Sequence, residues 1–346
     1  MVGGGGLQQL DNFLERAGLT GPFLVVSQPR ILKAVGTLLP KRFPISLIPE
    51  GEKAKSFGTL SRLLQRFSDL HMTRQSTVIA LGGGVVGDVT GFAASMYMRG
   101  IAVVQAPTTL LAQVDSSIGG KTGINFRTIK NLVGAFHQPR LVLADIDTLK
   151  TLPTREYRSG LYEALKYGII CDRAFFNWFR EELKNILDRQ PQQLERLIAR
   201  CAAIKADVVI RDEKEGDLRR VLNLGHTAGH GFEAASGFRG LKHGEAVGYG
   251  MIAAVRISRA MGRISVSDAE QVESGIRAIG TLPAIGSLSL KTVLAAIRHD
   301  KKVRDGVVHF VLPVEVGRVE ISRQVPLELV RDVAKTLIHE NKTRRA

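Results

Sequence analysis

This 346-residue sequence has few of the features that mark disulfide-rich, membrane-spanning or secreted proteins. Its two cysteines, Cys171 and Cys201, are too few for a disulfide framework, and the lack of a CxxC pair fits a reducing, cytoplasmic setting. No stretch approaches the roughly 20 consecutive apolar residues that span a bilayer. Residues 1–6 are rich in glycine and lack the pattern of a signal peptide, so we expect a loose leader there.

Negative charge is also in short supply, with 33 Asp and Glu against 48 Lys and Arg and a formal net charge of +15. The basic residues are scattered, with short clusters only at Lys301-Lys302 and near the C-terminus, and no basic run is interleaved with aromatic residues. This pattern disfavours nucleic acid as a partner. The charge is better explained as attraction of small anionic substrates.

The chain is long enough for two domains, and its apolar patterning changes near residue 153. Before that point, short apolar runs alternate with amphipathic stretches, which is typical of a mostly parallel sheet covered by helices. The strand candidates are residues 23–27, 45–48, 77–81, 102–106 and 141–144. We therefore predict a Rossmann-like α/β domain over residues 1–152 and a mainly α-helical domain over residues 153–346.

Helical periodicity dominates the second half of the sequence. The helix candidates are residues 174–187, 192–209, 245–261, 268–279, 290–298 and 327–339. Ser267 followed by Glu270 predicts a capping box at the start of one of these helices. Residues 307–312 and 318–321, with a glycine between them, predict a late β-hairpin.

Two glycine-rich segments of the first half have the composition of anion-binding sites. Residues 82–88 follow a predicted strand and open a helical pattern, so their backbone N–H groups and the helix N-terminus suit a phosphate, although a tight turn without a ligand has the same composition. Thr108 and Thr109 end the next strand, at the edge where open α/β sheets bind ligands. Asp115, Lys121 and the pair Lys130-Asn131 follow in a region that we expect to be a binding loop.

A histidine cluster is the strongest local signal. His226 and His230 stand four residues apart and share a face if the segment is helical, and His243 follows at the predicted start of the next helix. Glu163 supplies a carboxylate, and a set of two histidines and one carboxylate leaves an open position, as catalytic zinc requires. A single histidine is more often a cap or a core hydrogen-bonding group, but this clustering favours a metal.

Taken in order, these motifs resemble those of one family, the 3-dehydroquinate synthases of the shikimate pathway. The matching motifs are EGEKAK (residues 50–55), GGGVVGD (82–88), TT (108–109), LPTRE (152–156), EALKYG (163–168), NLGHTAGH (223–230), HGEAV (243–247) and DKK (300–302). The resemblance implies an active site in the cleft between the two domains and a homodimer.

The resemblance also implies a role for individual residues. It places the ligands of zinc, for which cobalt can substitute, at Glu163, His226 and His243. It places NAD contacts at Glu50, Gly51, Glu52, Lys53, Ala54, Lys55, Gly84, Val85, Val86, Gly87, Asp88, Thr108, Thr109, Lys121, Lys130, Thr148, Leu149, Lys150 and Thr151. It places substrate-binding or catalytic groups at Arg99, Asp115, Lys121, Lys130, Asn131, Lys166, Lys205, Arg219, Asn223, His230 and one lysine of Lys301-Lys302.

The implied reaction converts a heptulosonate phosphate, which carries a carboxylate and a phosphate, to 3-dehydroquinate. Zinc polarises a ring hydroxyl, NAD takes up a hydride, phosphate is eliminated, the hydride is returned, and the opened ring closes by an aldol step. Lysine and arginine side chains suit the two anionic groups of the substrate. His230 is the candidate proton-transfer group.

Rival interpretations share parts of this pattern. Other sugar-phosphate cyclases, which make valiolone-type cyclitols, amino-dehydroquinate or inosose, would use the same cofactors, but Asn223 before the Leu-Gly-His sequence favours the dehydroquinate enzyme. Lys242 departs from the apolar residue that the family usually has before His243, which affects the geometry expected of that loop. A metal-dependent polyol dehydrogenase and a non-enzymatic anion-binding or nucleic-acid-binding module remain as alternatives from other classes.

Overall fold

The computed structural model describes residues 1–127, 129–237, 240–298 and 308–341. The strands, in chain order, are β1 (Val2–Gly3), β2 (Phe23–Ser27), β3 (Ile45–Leu47), β4 (Thr77–Gly82), β5 (Ala102–Pro107), β6 (Lys121–Phe126), β7 (Ile129–Phe136), β8 (Leu141–Val142), β9 (Ala144–Asp145), β10 (Phe310–Glu315) and β11 (Arg318–Ser322). The helices are α1 (Leu10–Arg16), α2 (Pro29–Val35), α3 (Phe57–Asp69), α4 (Gly84–Met96), α5 (Thr154–Cys171), α6 (Arg173–Glu181), α7 (Leu183–Leu187), α8 (Pro191–Arg211), α9 (His226–Ala235), α10 (His243–Ala260), α11 (Val266–Ala278), α12 (Leu290–Arg298) and α13 (Leu327–Glu340). Among the helices of the described residues, none combines the length and apolar character that crossing a membrane requires.

The chain forms two compact units, and their boundaries differ from the predicted division at residue 152. The first unit contains Met1–Tyr157 together with Arg189–Asp207, and the second contains Arg158–Asp188 and Val208–Ala346. Contacts of residues 189–207 explain the difference. The Arg189 guanidinium donates to the carbonyls of Leu149 and Leu152 at 2.5 and 2.7 Å. Lys205 Nζ donates to the carboxylate of Asp115 at 2.8 Å.

The first unit is built on a five-stranded parallel sheet in the order β3-β2-β4-β5-β8. Its central strand β4 is buried along its whole length, which matches its continuous apolar run. Separate apolar clusters cover the two faces: Leu24, Val78 and Phe67 belong to one, and Val25 and Ile79 belong to the other. The predicted parallel α/β fold is therefore confirmed, with the carboxyl ends of β4 and β5 leading into the glycine turn and Thr108.

Three local expectations for the first unit were wrong. Residues 1–6 are not a loose leader, because β1 pairs with β9 and the carboxylates of Asp145 and Asp147 accept from the backbone of Leu7 and Gly5 at 2.8 and 2.9 Å. The predicted strand at residues 141–144 is interrupted and forms the separate strands β8 and β9. The expected binding loop after Asp115 is an antiparallel hairpin, β6–β7. Sequence patterning missed the hairpin because glycines punctuate both strands.

The second unit is mainly helical, as predicted, and the late hairpin is β10–β11. The predicted helix at residues 174–187 is divided into α6 and α7 at Glu182. The predicted capping box at Ser267 was wrong, since the N-cap of α11 is Ser265, whose hydroxyl accepts from the Asp268 N–H at 3.1 Å. Helix α10 is almost entirely buried, from Gly244 to Ser258, and packs against α9 and α11.

Candidate metal centre and nucleotide site

A buried ion pair lies at the centre of the second unit. Glu163 and Lys166 are on one face of α5, three residues apart, and their side chains are 0% and 1% exposed. Lys166 Nζ lies 2.5 Å from Oε2 of Glu163. Despite these short distances, neither carboxylate oxygen of Glu163 accepts a hydrogen bond of good geometry. A buried carboxylate whose oxygens lack aligned donors is an electrostatic cost unless a cation completes its environment.

The imidazoles of His226 and His243 converge on this carboxylate. Their Nε2 atoms lie 3.4 and 3.2 Å from Oε1 of Glu163. Both Nδ1 atoms face acceptors instead: that of His226 is 3.2 Å from the Leu224 carbonyl, and that of His243 is 3.3 Å from Oε2 of Glu233. If each Nδ1 carries the proton, both Nε2 lone pairs point toward Glu163. The three ligand atoms lie within 4.8 Å of one another, which is a geometry that can hold a metal ion.

The electrostatics of the metal-free cluster agree with this arrangement. Burial by itself raises the pKa of Glu163, but Lys166 and His243 outweigh it and lower the pKa to about 2. Burial lowers the pKa of His243, whereas the nearby carboxylates of Glu163 and Glu233 raise it to about 9. Glu163 is therefore an anion at neutral pH and attracts positive charge, whether a proton on His243 or a metal ion.

A second group of potential ligands overlaps with the first. His230, Glu233 and His243 also lie within ligand distance of one another. The ring of His230 is centred 5.6 Å from that of His226 and 6.0 Å from that of His243. The predicted cluster of three histidines is thus formed in space. Glu233 was missed, although its position seven residues after His226 places it on the same helical face, a signal that the sequence contains.

Two glycines allow the helices that carry the cluster to approach closely. Gly225 is the N-cap of α9 with a φ of 79°, and a Cβ there would lie 2.8 Å from the Val247 carbonyl. A Cβ at Gly244 would lie 1.8 Å from the carbonyl of Ser159, whose hydroxyl accepts from the Gly244 N–H at 3.0 Å. Because Ser159 and Glu163 are one turn apart on α5, this contact sets how closely His243 approaches the carboxylate.

Two predicted anion-binding residues of the second unit lie on one structured turn. Asp212 accepts from the backbone N–H groups of Gly216 and Arg219 at 2.7 and 2.9 Å, and hydrogen bonds from this backbone lower its pKa. Arg219 is buried, and its guanidinium donates to the Glu213 carbonyl at 2.6 Å. The Asn223 amide donates to Glu215 at 3.0 Å. The turn therefore orients both residues, and Asp212 is a contributor that sequence reasoning missed.

In the first unit, the glycine turn after β4 forms a partly exposed helix N-terminus. Helix α4 begins at Gly84 with Gly83 as its N-cap, so no side chain caps the first-turn N–H groups. A Cβ at Gly83 would lie 3.1 Å from the Thr109 side chain, and a Cβ at Gly84 would lie 3.0 Å from the Ser116 side chain. The segment thus presents free N–H groups and the positive end of a helix, which suit a phosphate.

A polar network connects the predicted NAD segments of this unit. Lys55 is 7% exposed, and its Nζ donates to Asp88 at 2.6 Å and to Asn131 at 2.8 Å. Asn131 adopts a φ of 50° on the hairpin, and its N–H donates to Asn125 at 2.9 Å. Burial raises the pKa of Asp88 and the Lys55 charge opposes that shift. The network links the first predicted motif, the first helical turns of α4 and the hairpin.

A second network surrounds Asp115, which lies in a π-helical turn at Ala112–Ser116. Lys205 donates to both the carboxylate and the carbonyl of Asp115, at 2.8 and 2.5 Å. The buried Gln113 amide, which the sequence did not single out, donates to Thr148 Oγ1 at 3.1 Å. Thr148 and Leu149 are buried in the short helix Ile146–Thr151, whereas Lys150 and Thr151 are exposed.

The remaining predicted site residues of the first unit are mostly exposed. Glu50 accepts from the Arg30 N–H at 2.7 Å, and Gly51 and Lys53 are exposed. Glu52 is exposed too, but it accepts from the Asn125 amide of the Lys55 network at 2.9 Å. Lys121 and Lys130 lie on the hairpin, where Lys121 is exposed and Lys130 is partly exposed. Arg99 is exposed in the turn after α4 with a φ of 67°. Lys301 and Lys302 lie outside the described residues.

Comparison with known proteins gives a consistent result. The family model described as 3-dehydroquinate synthase N-terminal matches residues 45–159, and the model described as 3-dehydroquinate synthase C-terminal matches residues 160–303. A 3-dehydroquinate synthase of Nostoc punctiforme is 43% identical over 337 residues, covering 94% of this chain and 93% of the relative.

Solved structures of other cyclases are also similar. A 2-epi-5-epi-valiolone synthase of Streptomyces hygroscopicus, with NAD+ and Zn2+ bound, has a TM-score of 0.84 at 28% identity, covering 92% of this chain and 91% of that one. A 2-deoxy-scyllo-inosose synthase, in complex with carbaglucose-6-phosphate, NAD+ and Co2+, has a TM-score of 0.86 at 27% identity, covering 98% of this chain and 96% of that one.

Proposed function

The chain belongs to the 3-dehydroquinate synthase family, and on that premise we propose that it converts 3-deoxy-D-arabino-heptulosonate 7-phosphate to 3-dehydroquinate and phosphate. Because phosphate leaves by elimination, the enzyme is a phosphorus–oxygen lyase that serves aromatic amino-acid biosynthesis. The observation that carries the proposal is the convergence of the His226 and His243 Nε2 atoms on the buried carboxylate of Glu163.

The donor set fits zinc. Catalytic zinc sites commonly combine two neutral imidazoles and one carboxylate with an open coordination position, as this set does. In addition, both carboxylate oxygens of Glu163 lack well-aligned hydrogen-bond donors in the protein. Bound zinc, or cobalt in its place, supplies polarisation of a substrate hydroxyl. Lys166 balances the charge of Glu163 and holds the carboxylate in place.

The first unit fits NAD, which supplies a reversible hydride acceptor during each turnover. The uncapped N–H groups at Gly84, Val85 and Val86 suit its pyrophosphate. Gly87 and Asp88 continue this helix. Lys55 is buried beside the helix, and Thr108 is buried directly after the neighbouring strand β5. The remaining predicted contacts are Glu50, Gly51, Glu52, Lys53, Ala54, Thr109, Lys121, Lys130, Thr148, Leu149, Lys150 and Thr151.

Basic and amide side chains are proposed to bind the carboxylate and phosphate of the substrate. Arg219 and Asn223 are held by the Asp212 turn, and Lys205 is held by Asp115. Arg99, Lys121, Lys130 and Asn131 complete the proposed set. His230 lies beside both histidines of the Glu163 set without belonging to it, and its role in the proposal is proton transfer near the leaving phosphate.

We also propose a homodimer in the cytoplasm that does not bind nucleic acid. Exposed apolar side chains on one hairpin, namely Phe126, Ile129, Leu132 and Phe136, offer a surface for self-association. Cys171 and Cys201 are not joined in a disulfide, in keeping with a reducing compartment. Sedimentation of the purified protein tests the dimer, which a concentration-independent monomer would exclude.

Phosphate release from the heptulosonate phosphate tests the proposed reaction. We expect release that requires both NAD and zinc, with no accumulation of NADH. Accumulation of NADH with a polyol would instead indicate a dehydrogenase, and inactivity with this substrate would indicate another cyclase. Glu163→Ala and His226→Ala should lose zinc and turnover, whereas His339→Ala, an exposed histidine on α13, should retain both.

A further inference from the structure

We propose that Glu233 is a positioning residue of the metal centre, which orients His243 and fixes the ring nitrogen on which its proton resides. This inference rests on the proposed Glu163–His226–His243 site. Glu233 Oε2 lies 3.3 Å from Nδ1 of His243, on the opposite side of the ring from the Nε2 atom that faces Glu163. A carboxylate that accepts from Nδ1–H leaves Nε2 unprotonated and available to a metal.

The two histidine ligands differ in how their Nδ1 atoms are held. That of His226 faces a backbone carbonyl, Leu224, two residues away on the same chain segment. That of His243 faces a side chain from another helix, because Glu233 lies on α9 and His243 begins α10. His243 is also the more exposed ligand, at 33% against 12% for His226. Its orientation therefore depends on Glu233 in a way that the orientation of His226 does not.

The position of Glu233 in its helix gives an independent reason. Glu233 lies in the last turn of α9, where a negative charge interacts unfavourably with the helix dipole, and the residue is only 8% exposed. A buried carboxylate at this end of a helix stabilises neither the helix nor the core by itself. The interaction with the imidazole of His243 offsets part of this cost.

Glu233 also belongs to the alternative ligand group with His230 and His243. In that group the Nδ1 of His243, and not the Nε2, would face the metal, since it is Nδ1 that lies beside Glu233. The Nε2 of His243 would then face Glu163 without a metal between them. The positioning role and the ligand role of Glu233 are therefore exclusive, and a spectroscopic measurement can separate them.

The test uses cobalt as the probe, with the full-length protein, a competing chelator and the visible absorption of bound Co2+. Glu233→Met keeps the side-chain length and removes the acceptor, and Glu233→Gln keeps an acceptor oxygen without the charge. We expect Glu233→Met to bind Co2+ about 10- to 100-fold more weakly than the wild type, with the same absorption bands. Glu233→Gln should recover most of the affinity. Glu270→Met, an exposed carboxylate on α11, should equal the wild type.

Two results would overturn the inference. If Glu233→Met binds Co2+ with wild-type affinity, His243 does not need Glu233 to orient its ring. A change of the Co2+ bands in Glu233→Met, of the kind that Glu163→Ala causes, would make Glu233 a ligand. If the wild type itself fails to bind Co2+, the proposed metal site is wrong. That outcome differs from the two results above, which are seen only in Glu233→Met. Thermal unfolding of the metal-free variants establishes that each is folded when its affinity is measured.

Discussion

Lys166 Nζ lies 2.5 Å from Oε2 of Glu163, and both side chains of this ion pair, three residues apart on α5, are buried from solvent. Two buried charges of this kind depend on each other, because removal of one leaves the other in a medium that solvates it poorly. A bound dication next to Glu163 would change this dependence, since it supplies a second compensating charge to the same carboxylate. The stability of the ion pair is therefore linked to occupancy of the metal site.

Replacement of Lys166 by methionine should lower the free energy of unfolding of the metal-free protein by about 3–5 kcal/mol. Zinc should restore more stability to this variant than it adds to the wild type, because it compensates the buried charge of Glu163 that Lys166 no longer balances. Denaturant unfolding with a chelator and with zinc measures both effects. Lys150→Met is the matched control: Lys150 also pairs with a carboxylate three residues away, Asp147, but its side chain is 72% exposed. Equal losses in the two variants would contradict the prediction.

Gly244→Ala should weaken metal binding without touching a ligand. The new Cβ would overlap the Ser159 carbonyl, so α10 must shift away from α5 and move His243 away from Glu163. We expect destabilisation of about 1–3 kcal/mol, typical of overpacking, together with a lower affinity for Co2+. Gly58→Ala in α3 is the control, since a Cβ there meets open space and should be neutral or slightly stabilising. Unchanged Co2+ affinity in Gly244→Ala would show that the contact does not set the ligand geometry.

Lys55→Met should impair NAD binding and leave the metal centre unchanged. The Nζ atom of Lys55 donates to Asp88, on the first turns of α4, and to Asn131, on the hairpin. Its loss therefore releases one predicted NAD contact, Asp88, and one predicted substrate contact, Asn131. We expect NAD affinity to fall by at least about tenfold, which corresponds to about 1.4 kcal/mol. Calorimetric NAD titration and Co2+ absorption of the same sample measure both properties. Lys41→Met, an exposed lysine of the same unit that is not among the proposed NAD contacts, should have little effect.

The sequence was most informative where one signal had a single physical cause. The buried runs of β4 and β5 and the long amphipathic helices were predicted close to their observed bounds, and Glu163, His226 and His243 come together as the motifs implied. The β6–β7 hairpin and the ordered residues 1–6 were missed, because glycine-rich segments show no periodicity and are ordered by partners distant in sequence. Glu233 was missed although its helical spacing from His226 can be read from the sequence, and Asp212 was missed because its partners are backbone N–H groups of a turn. Their roles come from the atoms that they contact, and one sequence does not display those contacts.

Asp212 is the basis of a final prediction, on pH and substrate binding. Hydrogen bonds from the backbone of Arg219, Gly216 and Asp217 lower the pKa of Asp212. The folded pKa therefore lies below the unfolded value of about 3.9, so the contribution of this carboxylate is complete above about pH 4 and is lost as the pH falls through the lowered value. An NMR titration of the Asp212 carboxyl carbon should show a midpoint below about 3.9.

At neutral pH, Asp212→Ala should loosen the turn that orients Arg219 and Asn223, and it should raise KM for the heptulosonate phosphate by on the order of tenfold. Zinc content and NAD affinity should not change, because Asp212 belongs neither to the proposed ligand set nor to the proposed NAD contacts. Asp212→Asn keeps one acceptor oxygen and should fall between the alanine variant and the wild type. Lys214→Ala, an exposed residue of the same turn, is the control. An unaltered KM in Asp212→Ala would mean that Arg219 and Asn223 are oriented without this carboxylate, or that they do not bind the substrate.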